Sequence, residues 1–170
     1  MSDLLTIYKY PDPVLRAKAR PIENIDGKLQ ELIDSMTETM YKAPGIGLAA
    51  PQVGESIQLV VYDVTPPEDG NKINVIINPE IVSCEGSVCY EEACLSVYDY
   101  CADVTRNEKV LVKALDRDGN SIEIEADGLH AICLQHEIDH LNGILFIDHI
   151  STIKRSLYKK RLKKILKNSQ

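Results

Sequence analysis

The segment His136-Glu137-Ile138-Asp139-His140 constrains this chain more than any other feature. In a helix, residues four apart lie one turn apart on the same face, so both imidazoles reach one point in space. A single ion about 2.0 to 2.1 Å from each nitrogen satisfies both, and Glu137 stands beside it to handle the protons of water. The bland alternative is two histidines on a charged surface turn. Against it, Ile132, Cys133, Leu134, Ile138 and Leu141 surround the pair with apolar side chains. The spacing predicts a metal-binding helix set in a core, with further ligands delivered from elsewhere.

At 170 residues the chain suits one domain, and with one Phe, no Trp and eight Tyr its core must rest mainly on Ile, Leu and Val. No apolar run approaches the ~20 residues needed to cross a bilayer, and Met1 to Lys9 has no basic segment leading into an apolar one. A soluble, unexported, cytoplasmic protein with no membrane partner is expected. Five cysteines, an odd number, fit reduced thiols better than a secreted disulfide framework. The net charge of -7 conceals a division: Ser151 to Gln170 holds eight Lys or Arg and no acid, whereas the first 150 residues hold 11 basic against 26 acidic. Such a tail points to an anionic partner surface, while the body repels nucleic acid.

Apolar residues at helical spacing run from Asp26 to Ala43, with Asp26 as N-cap and Pro44-Gly45 as the stop. The β-branched runs IQLVVYDV from Ile57 and INVIINP from Ile73 predict two strands, and Val110 to Leu115 and Ser121 to Glu125 two more around a turn at Asp118-Gly119. A second helix is expected from Leu129 to Asn142, capped by Asp127 and ended by Gly143. In the tail, Ile150, Ile153, Leu157, Tyr158, Leu162, Ile165 and Leu166 form one apolar stripe of a basic amphipathic helix. The order predicts an α+β fold: antiparallel sheets around a central metal-binding helix, with an N-terminal and a C-terminal helix. Residues 1–150 form the catalytic part, and 151–170 a helix of the same domain.

Hydrolytic metal sites ordinarily have three protein ligands and a water. Downstream of His140 the chain offers little: Gly143 matches one metallopeptidase pattern, but its third histidine position is Phe146, and no Glu follows Glu137. His130 and His149 read as ordinary surface or core histidines. An upstream cysteine is the natural candidate, since thiolate suits a borderline metal. Cys133 shares the helix but lies about 10 Å along its axis from His140, so it lines the site without ligating. Cys94 sits in Glu92-Ala93-Cys94-Leu95-Ser96, and Gly45 to Gln52 reads GIGLAAPQ, a small-residue loop that lets backbone approach a ligand closely. A metallopeptidase and a binding protein with a structural zinc are the competing readings. The first lacks its third ligand, and the second has no use for a base such as Glu137.

Together the three motifs resemble those of the peptide deformylases, in order and spacing, from the N-terminal helix through Phe146. The resemblance implies a metal-dependent hydrolase that removes the formyl group from the N-terminal formyl-methionine of nascent polypeptides. It implies Cys94, His136 and His140 as metal ligands, Glu137 as the acid-base group, and Gln52 with the backbone N–H of Leu95 as oxyanion donors. Leu129, Ile132 and Cys133 then line a methionine pocket with Ile46, and Gly47 and the Ala93 backbone flank the peptide. The family commonly has Gly where Ala93 stands, and a Pro and an Arg within the stretch that here reads Val97-Tyr98-Asp99-Tyr100-Cys101. The implied cofactor is one divalent ion, Fe2+ natively, with Zn2+ or Ni2+ able to take the site. For an enzyme of nascent chains, the basic tail suggests the ribosome as partner.

Overall fold

The computed structural model describes residues 3–169. Helix α1 spans Gly27–Lys42, and the Asp26 side chain accepts a hydrogen bond from the Leu29 N–H at its start. Its apolar face, Leu29, Ile33, Met36 and Met40, is buried. Seven strands follow: β1 Gly47–Ala49, β2 Leu59–Tyr62, β3 Asn74–Glu85, β4 Val88–Cys94, β5 Val97–Arg106, β6 Lys109–Leu115 and β7 Ser121–Asp127. Helices α2, Gly128–Leu141, and α3, Thr152–Asn168, complete the chain. This is the α+β arrangement, with all named strand pairs antiparallel.

The strands divide into a five-stranded sheet, β1-β2-β3-β6-β7, and a separate hairpin, β4-β5. Strand β2 explains why its sequence is continuously apolar. Leu59 and Val61 face α1, whereas Val60 and Tyr62 face α2, so all four side chains are buried. A strand covered on both faces has no polar side to show. Helix α2 is therefore central, with Ala131, Cys133, Leu134, Ile138 and Leu141 packed on the sheet. A third cluster joins Val97 and Val104 of the hairpin to Leu15, Phe146, Tyr158 and Leu162.

Several local details differ from the sequence expectation. The small-residue loop contains the short strand β1, followed by a turn of 3-10 helix at Ala50–Val53. Strand β3 continues through Pro79 to Glu85, bending at Asn78 (φ 52°), whose side-chain amide holds both the N–H and the carbonyl of Ile22. Asp127 precedes α2, but its side chain makes no capping hydrogen bond. The stripe on α3 is narrower than its sequence suggests. Tyr158 and Leu162 are buried, whereas Ile153, Leu157 and Leu166 are exposed, because only one side of the helix meets the body.

Gly143 ends α2 at φ 74°, where a Cβ would lie 2.5 Å from the Arg16 carbonyl oxygen. That atom is backbone and cannot swing aside. Gly143→Ala is expected to lower stability by at least about 2 kcal/mol from strain and overlap together. A urea midpoint equal to that of the parent protein would show that the Arg16 segment yields freely.

Candidate active site

Two elements build the site. Helix α2 carries His136, Glu137 and His140, which are 9%, 5% and 1% exposed. The hairpin carries Cys94 at the last position of β4, where a two-residue turn, Leu95-Ser96, leads into Val97. That turn also points the Ser96 N–H at the Cys94 sulfur, 3.4 Å away. The donor atoms of Cys94, His136 and His140 all lie within 4.8 Å of one another, with Cys94 Sγ 3.3 Å from His140 Nε2.

The donor set fits a divalent cation. Glu92 Oε1 is 2.8 Å from His136 Nδ1, so an Nδ1–H donates to the carboxylate and leaves Nε2 free to ligate. Burial and the nearby positive charges of His136 and Arg106 hold His140 well below the usual histidine range, so its imidazole is neutral and has a lone pair to give. Burial also disfavours a cation at His136, yet the hydrogen bonds to Cys94 and Glu92 raise its pKa well above normal. Positive charge is favoured at this point, and a proton and a metal ion compete for it. Phe146, at the position where one metallopeptidase pattern has its third histidine, lays its buried ring against His136 with centroids 6.2 Å apart.

Beside these donors lies a cavity of about 370 Å³. Ile46, Gly47, Ala93, Leu129, Ile132 and Cys133, the six expected peptide contacts, all line it, as do Gln52, Cys94, Leu95, His136 and Glu137. Gln52 is 1% exposed and doubly engaged. Its Oε1 accepts from the Ala49 N–H at 2.9 Å, and its Nε2 donates to Ser96 Oγ at 3.0 Å and faces Cys94 Sγ at 3.7 Å. The amide thus holds its loop and also aims an N–H at the donor cluster. Cys133 is buried with its Sγ 3.9 Å from the Ile46 carbonyl, away from the cluster. His130 meets the Tyr62 hydroxyl and His149 meets Asp139, so neither joins it.

Burial pushes the Glu137 carboxyl up to about 7, although the charge of His136 pulls the other way. Its Oε2 is buried and has no hydrogen-bond partner among the described residues. Buried polar atoms are ordinarily satisfied, so an oxygen left open beside a cavity suits a group that exchanges protons with a guest. Glu92, Arg106 and Asp139, which surround the donors, gave no individual signal in the sequence. The one pointer to any of them is the place of Glu92 two residues before Cys94 on β4.

A cysteine sulfur, two imidazoles, an adjacent buried carboxyl and an apolar cleft on this α+β frame define a metal-dependent hydrolase. The sequence profile of the polypeptide deformylase family matches residues 4–156. The chain is 52% identical over 166 residues to the peptide deformylase of Syntrophobacter fumaroxidans, with 98% of each chain covered. It is 56% identical over 160 residues to that of Thermodesulfovibrio yellowstonii, covering 94% of this chain and 97% of the other. The crystal structure of a peptide deformylase from Legionella pneumophila superposes with a TM-score of 0.91 at 48% identity, covering 98% of both chains. The chain belongs to the polypeptide deformylase family. Its activity is the metal-dependent removal of the formyl group from the N-terminal formyl-methionine of nascent polypeptides, releasing formate.

Gly47 passes so close to Glu137 that a Cβ there would sit 2.6 Å from Oε1 and 2.9 Å from both Cδ and Cγ. With Glu137 buried, a methyl at this position displaces the carboxyl. Gly47→Ala is expected to lower kcat/KM for a formyl-methionyl peptide by on the order of 100-fold. Undiminished turnover would mean that hydrolysis does not depend on where the Glu137 carboxyl stands.

Proposed function

We propose that Cys94, His136 and His140 hold the ion and that Glu137, Gln52 and the Leu95 N–H carry the hydrolysis. The observation that carries this reading is the convergence of the three donor atoms within 4.8 Å at the wall of a cavity that Glu137 also lines. A divalent ion held by Cys94, His136 and His140 would supply Lewis acidity toward water and the formyl oxygen. Glu137 takes a proton from the attacking water. Gln52 Nε2 and the Leu95 N–H donate to the formyl oxygen as it gains charge. When the C–N bond breaks, Glu137 returns the proton to the departing nitrogen, leaving formate and a free α-amine.

The methionine side chain is assigned to the apolar part of the cleft, between Ile46 on one side and Leu129, Ile132 and Cys133 on α2. Gly47 and Ala93, which both line the cleft, flank the peptide backbone. Fe2+ is the proposed native ion, with Zn2+ or Ni2+ able to replace it, since one thiolate and two imidazoles accept all three. We assign the protein to the cytoplasm, where nascent formylated chains arise. Among the described residues no helix is long and apolar enough to cross a membrane.

The decisive experiment purifies the protein without oxygen, measures its metal, and follows formate release from a short formyl-methionyl peptide. Parent and Glu137→Gln are each expected to hold one ion per chain, with the variant slower by about 10² to 10⁴-fold. Full metal with unimpaired release from the variant would remove Glu137 from the mechanism.

The remaining proposal concerns α3. We treat 1–150 and 151–170 as one domain, because Tyr158 and Leu162 are buried against Phe146 and Val104. Lys160, Lys163, Lys164 and Lys167 are exposed on this helix, a cationic face suited to ribosomal RNA. Reversing these four charges to Glu is expected to weaken co-sedimentation with ribosomes at low salt while sparing hydrolysis of a free peptide. Equal sedimentation at low salt would exclude this face as the contact.

A further inference from the structure

The three donors come from elements that share no backbone ladder: Cys94 from the β4-β5 hairpin, His136 and His140 from α2. Something must fix the spacing between thiolate and imidazoles. Arg106, on β5 and 6% exposed, reaches both sides. Its Nε and Nη2 donate to the two oxygens of Glu92 at 2.8 and 2.9 Å, a bidentate pair two residues from Cys94. Its Nη1 donates to Asp139 Oδ2 at 2.6 Å, on the helix turn between His136 and His140. Glu92 in turn accepts from His136 Nδ1. His149 Nε2 closes the outer side, 2.8 Å from the same Asp139 oxygen.

We propose that Arg106 is a positioning residue that sets the distance between the Cys94 sulfur and the two histidines, and thereby how firmly the site retains its ion. The proposal rests on those three residues being the ligands. A planar guanidinium presents its donors in a fixed fork, so it holds two carboxylates on different elements at one separation. A lysine keeps the charge but concentrates its donors at a single flexible point. The hairpin has a second attachment to α2, because the Gln135 side chain bonds both the N–H and the carbonyl of Asn107 at 3.0 and 2.9 Å. Replacing the fork therefore loosens the metal site without undocking the hairpin.

The test loads parent and Arg106→Lys with Ni2+, then follows metal loss to a chromophoric chelator and records the thiolate-to-metal absorption band. The variant is expected to release Ni2+ at least about tenfold faster and to bind it about 10 to 100-fold more weakly, with a displaced band. Release and spectrum matching the parent would overturn the proposal. Should Arg106→Lys prove insoluble, Asp139→Asn is read instead, since it leaves the Glu92 pair whole and frees only the helix side. Faster release supports the proposal, and parental release defeats it. A parent that fails to take up one Ni2+, or a Cys94→Ala variant that binds it as tightly, removes the ligand assignment itself.

Discussion

Setting Gln135, His136, Glu137 and His140 in the middle of a core is costly, and much of this structure is arranged to make that tolerable. All four are less than 10% exposed on a helix whose other residues are mostly apolar. Each buried polar atom left unsatisfied costs roughly 1 to 3 kcal/mol. The chain supplies partners: Asn107 for Gln135, and Glu92 for His136. Glu92 is then itself a buried anion, which burial alone would neutralise. The hydrogen bonds and charge of Arg106, with those of His136, instead hold its carboxyl down at about 2. The outermost carboxylate of the series, on Asp139, is 21% exposed and bonded to His149. Charge compensation runs outward from the metal site until solvent takes over.

The sheet and α1 give that helix its rigid seat. Strand β2 lies between α1 and α2, so the face of α2 that bears Ala131, Leu134 and Ile138 packs on side chains themselves locked from behind. A site assembled from two elements needs at least one of them immovable. Here that element is the helix, and the hairpin is brought to it.

Legibility of the sequence followed the environment of each segment. Where one face meets the core and the other water, as on α1, or both faces are covered, as on β2, apolar spacing announced the element. It failed on β4 and β5. Their inward positions include Glu92, Cys94 and Arg106, so the period is written in chemistry and ions rather than hydrophobicity. The same polarity kept Arg106 hidden, since an arginine ending a strand resembles a solvated one until its partners are known. On α3 the error ran the other way, because a helix can carry leucines that its neighbours never reach. The motif around His136 was plain from spacing. The link to Cys94 required a family resemblance, because 42 residues separate them and no local rule spans that distance.

The division of the donors between hairpin and helix also joins folding to the ion supply. On the proposed ligand set, an ion held by Cys94 and both histidines would bind only when the hairpin is docked, and so would stabilise that arrangement and not the open one. Such a ligand adds about 4 kcal/mol at a free concentration one thousand times its dissociation constant, a sizeable share of a small domain's stability. The thermal midpoint of this chain is then a reading of metal activity in its surroundings as much as a property of the polypeptide.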